Sequence, residues 1–202
     1  MKKRLLTVLL FFTISTAFAA DREWPYPSFV RGHLIYAAEV LDVFSDEGYG
    51  FTVELGSMFR QHEDFSQALS FEVGYLTSDT EALFVTPVVE TLEVDIDVVP
   101  LLFNYTISGN IAGNFIWEAG GGVGGYIIDN DIDAPLEEGY DNTDTNFVAG
   151  GQFFGRIGYW FGNDFDVTAG IRYLVSDEFS FYGGLEESLG TVAFDLSASW
   201  AF

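Results

Sequence analysis

Six charged side chains stand alone in stretches otherwise rich in apolar and small residues: Glu54, Glu72, Glu118, Arg156, Arg172 and Asp195. Isolated acids and bases of this kind can do one of two things. Buried and paired, they form a rigid network; hydrated, they line a path for ions. Asp129-Asn130-Asp131-Ile132-Asp133 is a second candidate, because oxygen ligands at alternate positions open a calcium loop. The glycine expected sixth in such a loop is Ala134, and the twelfth residue is Tyr140 in place of a bidentate glutamate. Glu137, Glu138, Asp141 and Asp144 add oxygens, but a solvated acidic loop is the plainer reading. Gly120, Gly122 and Gly125 match G-x-G-x-x-G, yet no helix follows to receive a pyrophosphate, so they read as wall glycines of a strand. His33, early in the first strand and expected inside or near the rim, and His62, in a short turn, are the available general bases. Neither lies near a nucleophile signature. No catalytic, cofactor-binding or metal residue is therefore assigned, and no enzyme activity is expected.

What must position the six charges is a set of strands. Period-two alternation picks out eight segments, near 29–40, 49–60, 66–76, 96–108, 115–128, 147–160, 165–175 and 191–202. In the second, Tyr49, Phe51, Val53 and Leu55 share one face, and Gly50, Thr52, Glu54 and Gly56 the other. In the seventh, Phe165, Val167, Ala169, Ile171 and Tyr173 oppose Asp166, Thr168, Gly170 and Arg172. Connections near 61–65, 109–114 and 161–164 are short, whereas those near 77–95, 129–146 and 176–190 are long and polar; the first, 41–48, is intermediate. This pattern describes an eight-stranded antiparallel up-and-down barrel crossing a membrane, with both ends on the short-turn side.

A soluble eight-stranded barrel is the structural rival, and the faces decide between them. A soluble barrel needs a charged exterior, but the polar face here is mostly Gly, Ala, Ser and Thr. Small residues suit the inside of a narrow barrel. Tyr49, Tyr105, Trp117, Tyr159, Tyr173 and Trp200 lie near strand ends, where interfacial girdles form. An arginine facing lipid at mid-bilayer costs about 2–4 kcal/mol, so the six charges belong inside. They comprise two cations and four acids, and at least one carboxylate is expected to hold its proton or keep water. The interior of eight strands is just wide enough for side chains to fill, which favours a plug over a conducting path.

Composition narrows the function. Lys2, Lys3 and Arg4, the apolar run Leu5–Phe12 and Ala17-Phe18-Ala19 form a signal peptide with a cleavage site, so residues 1–20 are expected to be removed and 21–202 to form one barrel domain. No later run is long and apolar enough for a membrane helix. The absence of cysteine excludes a disulfide-stapled small domain. A net charge of −23 excludes nucleic acid as a partner. The segments 41–48, 77–97, 129–146 and 176–190 hold 20 acids and no Lys or Arg. Those loops could bind divalent cations shared with anionic lipid headgroups, or a basic partner.

Val99-Pro-Leu-Leu-Phe-Asn-Tyr105, Trp117-Glu-Ala-Gly-Gly-Gly-Val-Gly124, Gly170-Ile-Arg-Tyr-Leu174 and the terminal Trp200-Ala-Phe202 resemble the small eight-stranded outer-membrane β-barrel family, which includes OmpX-like, OmpW-like and OmpA-type transmembrane domains. The resemblance spans nearly all of the mature chain and specifies a fold far better than an activity. It implies residence in the outer membrane of a Gram-negative-type bacterium, among outer-membrane lipids. It also implies that the terminal strand, with Trp200 and Phe202, is read by the outer-membrane assembly machinery. The expected role is non-enzymatic, in envelope structure or surface interaction. A narrow channel for ions or small solutes is the alternative, and a lipid-modifying enzyme the third.

Overall fold

The computed structural model describes residues 28–37, 47–61, 65–85, 89–133, 141–162, 164–180 and 186–202. The expected signal peptide and most of the 41–48 connection lie outside them. β1 (Ser28–Ala37), β2 (Gly48–Gln61), β3 (Phe65–Val85), β4 (Val89–Ala112), β5 (Phe115–Asp133), β6 (Asp141–Trp160), β7 (Phe165–Ser176) and β10 (Gly190–Ala201) form a closed barrel. Every neighbouring pair is antiparallel, and the last strand pairs with the first from Phe29↔Ala201 to Ala37↔Ala193. Two short strands, β8 (Phe179–Ser180) and β9 (Glu186–Glu187), pair with each other as a separate two-stranded sheet. No described helix is long and apolar enough to cross a membrane; the wall does the crossing with strands.

Alternation sets which side chains enter the lumen. Along β10, Thr191, Ala193, Asp195, Ser197 and Ser199 are buried inside, while Val192, Phe194, Leu196 and Trp200 stand exposed outside. The same rule exposes Leu34, Phe103, Val123, Phe153, Ile157 and Ile171 on the outer wall, a surface that only lipid would favour. At the short-turn end Phe115, Tyr159, Phe161, Phe165 and Trp200 form a run of ring contacts with centroids 4.9–6.3 Å apart. Tyr173 lies eight residues beyond Phe165 on the same strand. At about 3.3 Å per residue, tilted about 40°, that separation is roughly 20 Å, close to the height of a lipid-facing band. The turns behind this belt are tight, and Gly113 and Gly162 supply the left-handed φ of 58° and 87° that they need.

Two of the expected long connections are instead strand. β3 continues to Val85 and β4 begins at Val89, so the segment 77–95 is mostly a hairpin paired from Leu76↔Val98 to Val85↔Val89. Likewise β5 runs to Asp133 and β6 starts at Asp141, so 129–133 and 141–146 are strand, and 134–140 lie outside the described residues. The physical reason is a change of surroundings along an unbroken strand. On β4 the outward residues are Phe103 and Tyr105 lower down, but Asp95 and Asp97 higher up. Inward, Asn104 and Thr106 give way to Leu102, Val98 and Ile96. Above the lipid the outside must be wet and the inside dry, so apolar residues change face while the pairing continues. The four long strands β3–β6 therefore rise beyond the others as a sheet.

Candidate functional site

Midway along the lumen lies a layer of charge. The structure buries all six residues named from the sequence, with Glu54 and Glu72 at 0% exposure. It adds Arg31, which the sequence leaves unplaced, and sets His33, expected inside or near the rim, in the layer itself. Arg31 and His33, both on β1, point into the same layer. Alternation alone gives strand one no facing. The available signal is energetic, since an arginine in its middle could not face lipid.

Each carboxylate meets a base. Arg31 grips Glu118 with both terminal nitrogens, Nη1 to Oε2 at 2.8 Å and Nη2 to Oε1 at 2.6 Å. Arg156 donates from Nε to Asp195 at 2.7 Å and lies with Nη1 3.4 Å from Glu118. Arg172 spans the lumen, donating from Nη1 to Glu72 at 2.6 Å and from Nη2 to Asp195 at 2.9 Å. His33 lies between Asp195 and Glu54, each 3.0 Å from one ring nitrogen. The expected surplus of two acids is narrowed by Arg31, a third guanidinium in the layer. Arg31 and His33 make three guanidinium groups and an imidazole against Glu54, Glu72, Glu118 and Asp195.

Neutral polar residues complete the layer. Glu72 accepts from Thr52 at 2.6 Å, Asn104 at 2.8 Å and Gln152 at 2.6 Å, besides Arg172. Ser70 donates to Glu54. Arg156 also lies 4.0 Å from the centroid of the Phe154 ring. One acid accepting four donors is well satisfied without water, which is what a dry buried charge requires. His33, Glu54 and Glu72 bring potential metal-ligand atoms within 4.8 Å of one another. The Arg172 guanidinium, however, lies 3.2 Å from His33 Nδ1 and 2.6 Å from Glu72, where a metal ion would meet its repulsion. The trio reads as part of the ion-pair network.

Above this layer the lumen turns apolar. Ile35, Leu76, Ile96, Val98, Leu102, Tyr126, Ile128, Val148 and Leu174 pack together, and Phe179 and Leu189 fold in from the β7–β10 connection. Leu189 is held by backbone and side-chain bonds to Ser176 at 3.1 and 3.0 Å. Tyr126 donates to the Gly151 carbonyl at 2.6 Å. Its ring also fills the space beside Gly150, where an added Cβ would fall 2.4 Å from it. Part of the third expected loop thus serves as a stopper.

The remaining candidates resolve locally. Asp129, Asp131 and Asp133 belong to β5, in register with β4 at Asp97↔Asp129 and Asp95↔Asp131, so these residues do not curl as a calcium loop opens. Gly120, Gly122 and Gly125 lie in the same strand, where added Cβ atoms at Gly120 and its neighbour Gly124 would fall within 2.4 Å of the Tyr105 and Leu101 carbonyls. His62 falls outside the described residues. Trp200 faces outward against Phe165, and Phe202 exchanges backbone bonds with Ser28 at 2.8 and 3.1 Å, closing the barrel at its end.

No protein-family model matches the sequence, and no curated protein matches it. Solved structures do. A major outer membrane protein from Thermus thermophilus is similar with a TM-score of 0.60 and 12% identity, over 88% of this chain and 99% of that one. The outer membrane protein OprG from Pseudomonas aeruginosa is similar with a TM-score of 0.52 and 12% identity, over 88% of this chain and 96% of that one. At such identities the likeness is one of architecture, and it agrees with the apolar outer wall, the aromatic belt and the polar lumen: this chain has the fold of the small eight-stranded outer-membrane β-barrels.

Proposed function

We propose that this protein is a closed, non-enzymatic barrel of the outer membrane, acting in envelope structure and surface interaction. On this reading residues 1–20 direct export and are cleaved. The observation that carries it is the double seal of the lumen. A charge layer with every carboxylate paired lies beneath an apolar layer in which Ile96, Leu102, Tyr126 and Ile128 have no exposure. Ions crossing would have to displace dry ion pairs and then enter hydrocarbon-like packing. The narrow channel, the competing reading, predicts the reverse. In planar bilayers the refolded protein should give no stable, reproducible openings; regular unitary steps would favour the channel. His33, held between two carboxylates inside the wall, is poorly placed to serve as the base of a lipid-hydrolysing site.

The surface offered outward is acidic. On the raised sheet Asp97 lies opposite Asp129 and Asp95 opposite Asp131, with Asp95, Asp129 and Asp131 exposed. Like charges directly across a strand pair repel. Divalent cations, shared with anionic headgroups, would relieve that repulsion and link the sheet to the lipid surface. Millimolar calcium should then raise the melting temperature through binding to the folded state. Replacing Asp129 and Asp131 by Asn should remove most of the rise, and an undiminished response would place calcium elsewhere.

A further inference from the structure

At the short-turn end the lumen opens into a cavity of about 140 Å³, room for several waters or one small organic ion. Its inner wall is the Arg31–Glu118 pair, Phe65 and Trp160 flank it, and Thr106 and Asp166 line it. Four polar groups of this lining have no hydrogen-bond partner: Arg31 Nε, the Thr106 hydroxyl, the Trp160 indole N–H and Asp166 Oδ1. Thr106 is only 4% exposed, so its hydroxyl is buried and unanswered. Buried polar groups are ordinarily satisfied, and four orphans around one cavity point to an occupant.

The charge of that occupant follows from the pairing. Arg31 commits both terminal nitrogens to Glu118 at 2.8 and 2.6 Å, and its Nη2 remains 3.8 Å from Asp166 Oδ1. Asp166 Oδ2 accepts from Ser199 at 2.5 Å, while Oδ1, ion-paired with Arg31 at 3.8 Å, accepts no hydrogen bond. Asp164 adds a second carboxylate at the mouth, and a chain of net charge −23 disfavours the approach of anions. Calcium takes six or more oxygens, and zinc prefers His and Cys ligands that this lining lacks. Aromatic walls beside Asp164, Asp166 and Glu118, three acids against the one Arg31, suit an organic cation instead.

We propose that this cavity binds a small organic ammonium ion. Its N–H groups meet Asp166 Oδ1 and the Thr106 hydroxyl, and its carbon skeleton lies along Trp160 and Phe65. The site faces the end of the barrel where Ser28 and Phe202 meet, opposite the acidic sheet, and it does not depend on whether the lumen conducts.

The indole N–H of Trp160 provides a local probe. In proton–nitrogen spectra of the refolded barrel in lipid nanodiscs, its resonance is identified by its loss in Trp160→Phe. Titration with n-butylammonium should shift it saturably at millimolar concentration, whereas butyrate and 1-butanol, of the same length, should not. Asp166→Asn should weaken binding on the order of tenfold, the scale of one charge-assisted hydrogen bond, and Asp166→Glu should restore part of it. A shift that fails to saturate, or equal responses to the ammonium and the alcohol, would overturn the site. So would an affinity unchanged in Asp166→Asn. Should that variant not fold, the comparison of the three probes on the wild-type barrel decides alone.

Discussion

Arg172→Ala is expected to cost the barrel on the order of 3–5 kcal/mol, the penalty for leaving a buried charge without its partner. Arg172 is the one base paired with Glu72 among the described residues, at 2.6 Å, and it also holds Asp195 at 2.9 Å and Gln152 at 2.8 Å. Removing it leaves Glu72 charged at 0% exposure, with only neutral donors around it. Two responses are open to the molecule, and both are measurable. Either the urea midpoint of the refolded barrel falls, or water enters the vacated space and ion leakage begins in a planar bilayer. Arg172→Lys keeps a charge but loses the fork that reaches two carboxylates, so its recovery should be partial. If Arg172→Ala changed neither the midpoint nor the conductance, the charge layer would not be what stabilises the lumen.

Removing Trp200 to Phe202 should abolish accumulation in the outer membrane. The deletion takes away the pairs Val30↔Trp200 and Phe29↔Ala201, the two bonds between Phe202 and Ser28, and the bond from Ala201 N to the Asp164 carbonyl at 2.7 Å. The seam of the barrel then stands open at its lower end, with backbone groups of β1 and β7 facing lipid unpaired, each costing several kcal/mol. Loss of the terminal aromatics would also remove the signal that the family resemblance assigns to the assembly machinery. Cell fractionation should find the truncated chain in the periplasm and sensitive to protease. Normal outer-membrane levels would sink both arguments. Phe202→Ala should give a smaller defect, because it leaves the backbone bonds with Ser28 in place.

How much of this is legible in the sequence depends on whether one environment holds along a whole strand. Where lipid lies outside and polar groups inside, as along 191–202 and 165–175, alternation gives both the strand and its facing. Glu54, Glu72, Glu118, Arg156, Arg172 and Asp195 accordingly all lie inside. Arg31 escapes because β1 is short and Gly32 interrupts its outward face, weakening the period. The upper halves of β3–β6 escape for a different reason. Between Phe103 and Ile96 the apolar residues pass from one face to the other, so a reader following the hydrophobic face sees the strand end there. Three-dimensional pairing, Leu76↔Val98 and Val98↔Ile128, carries on through the change. The partners within the charge layer are beyond reach for a third reason. Arg172 and Glu72 are 100 residues apart, and spacing does not report which opposing strands bring their tips together.

The change of face above Phe103 gives the protein a waterline. Were the barrel to sink by two residues, Asp97 and Asp129 would pass from water towards lipid; were it to rise, the belt from Phe115 to Trp200 would leave its interface. Either displacement has a restoring force, so the draught of the molecule is written into four strands at once. A membrane of different thickness would have to deform to meet that line, because a wall stiffened by a packed lumen cannot shorten to meet the membrane. Such a barrel would favour membrane regions whose thickness matches its own.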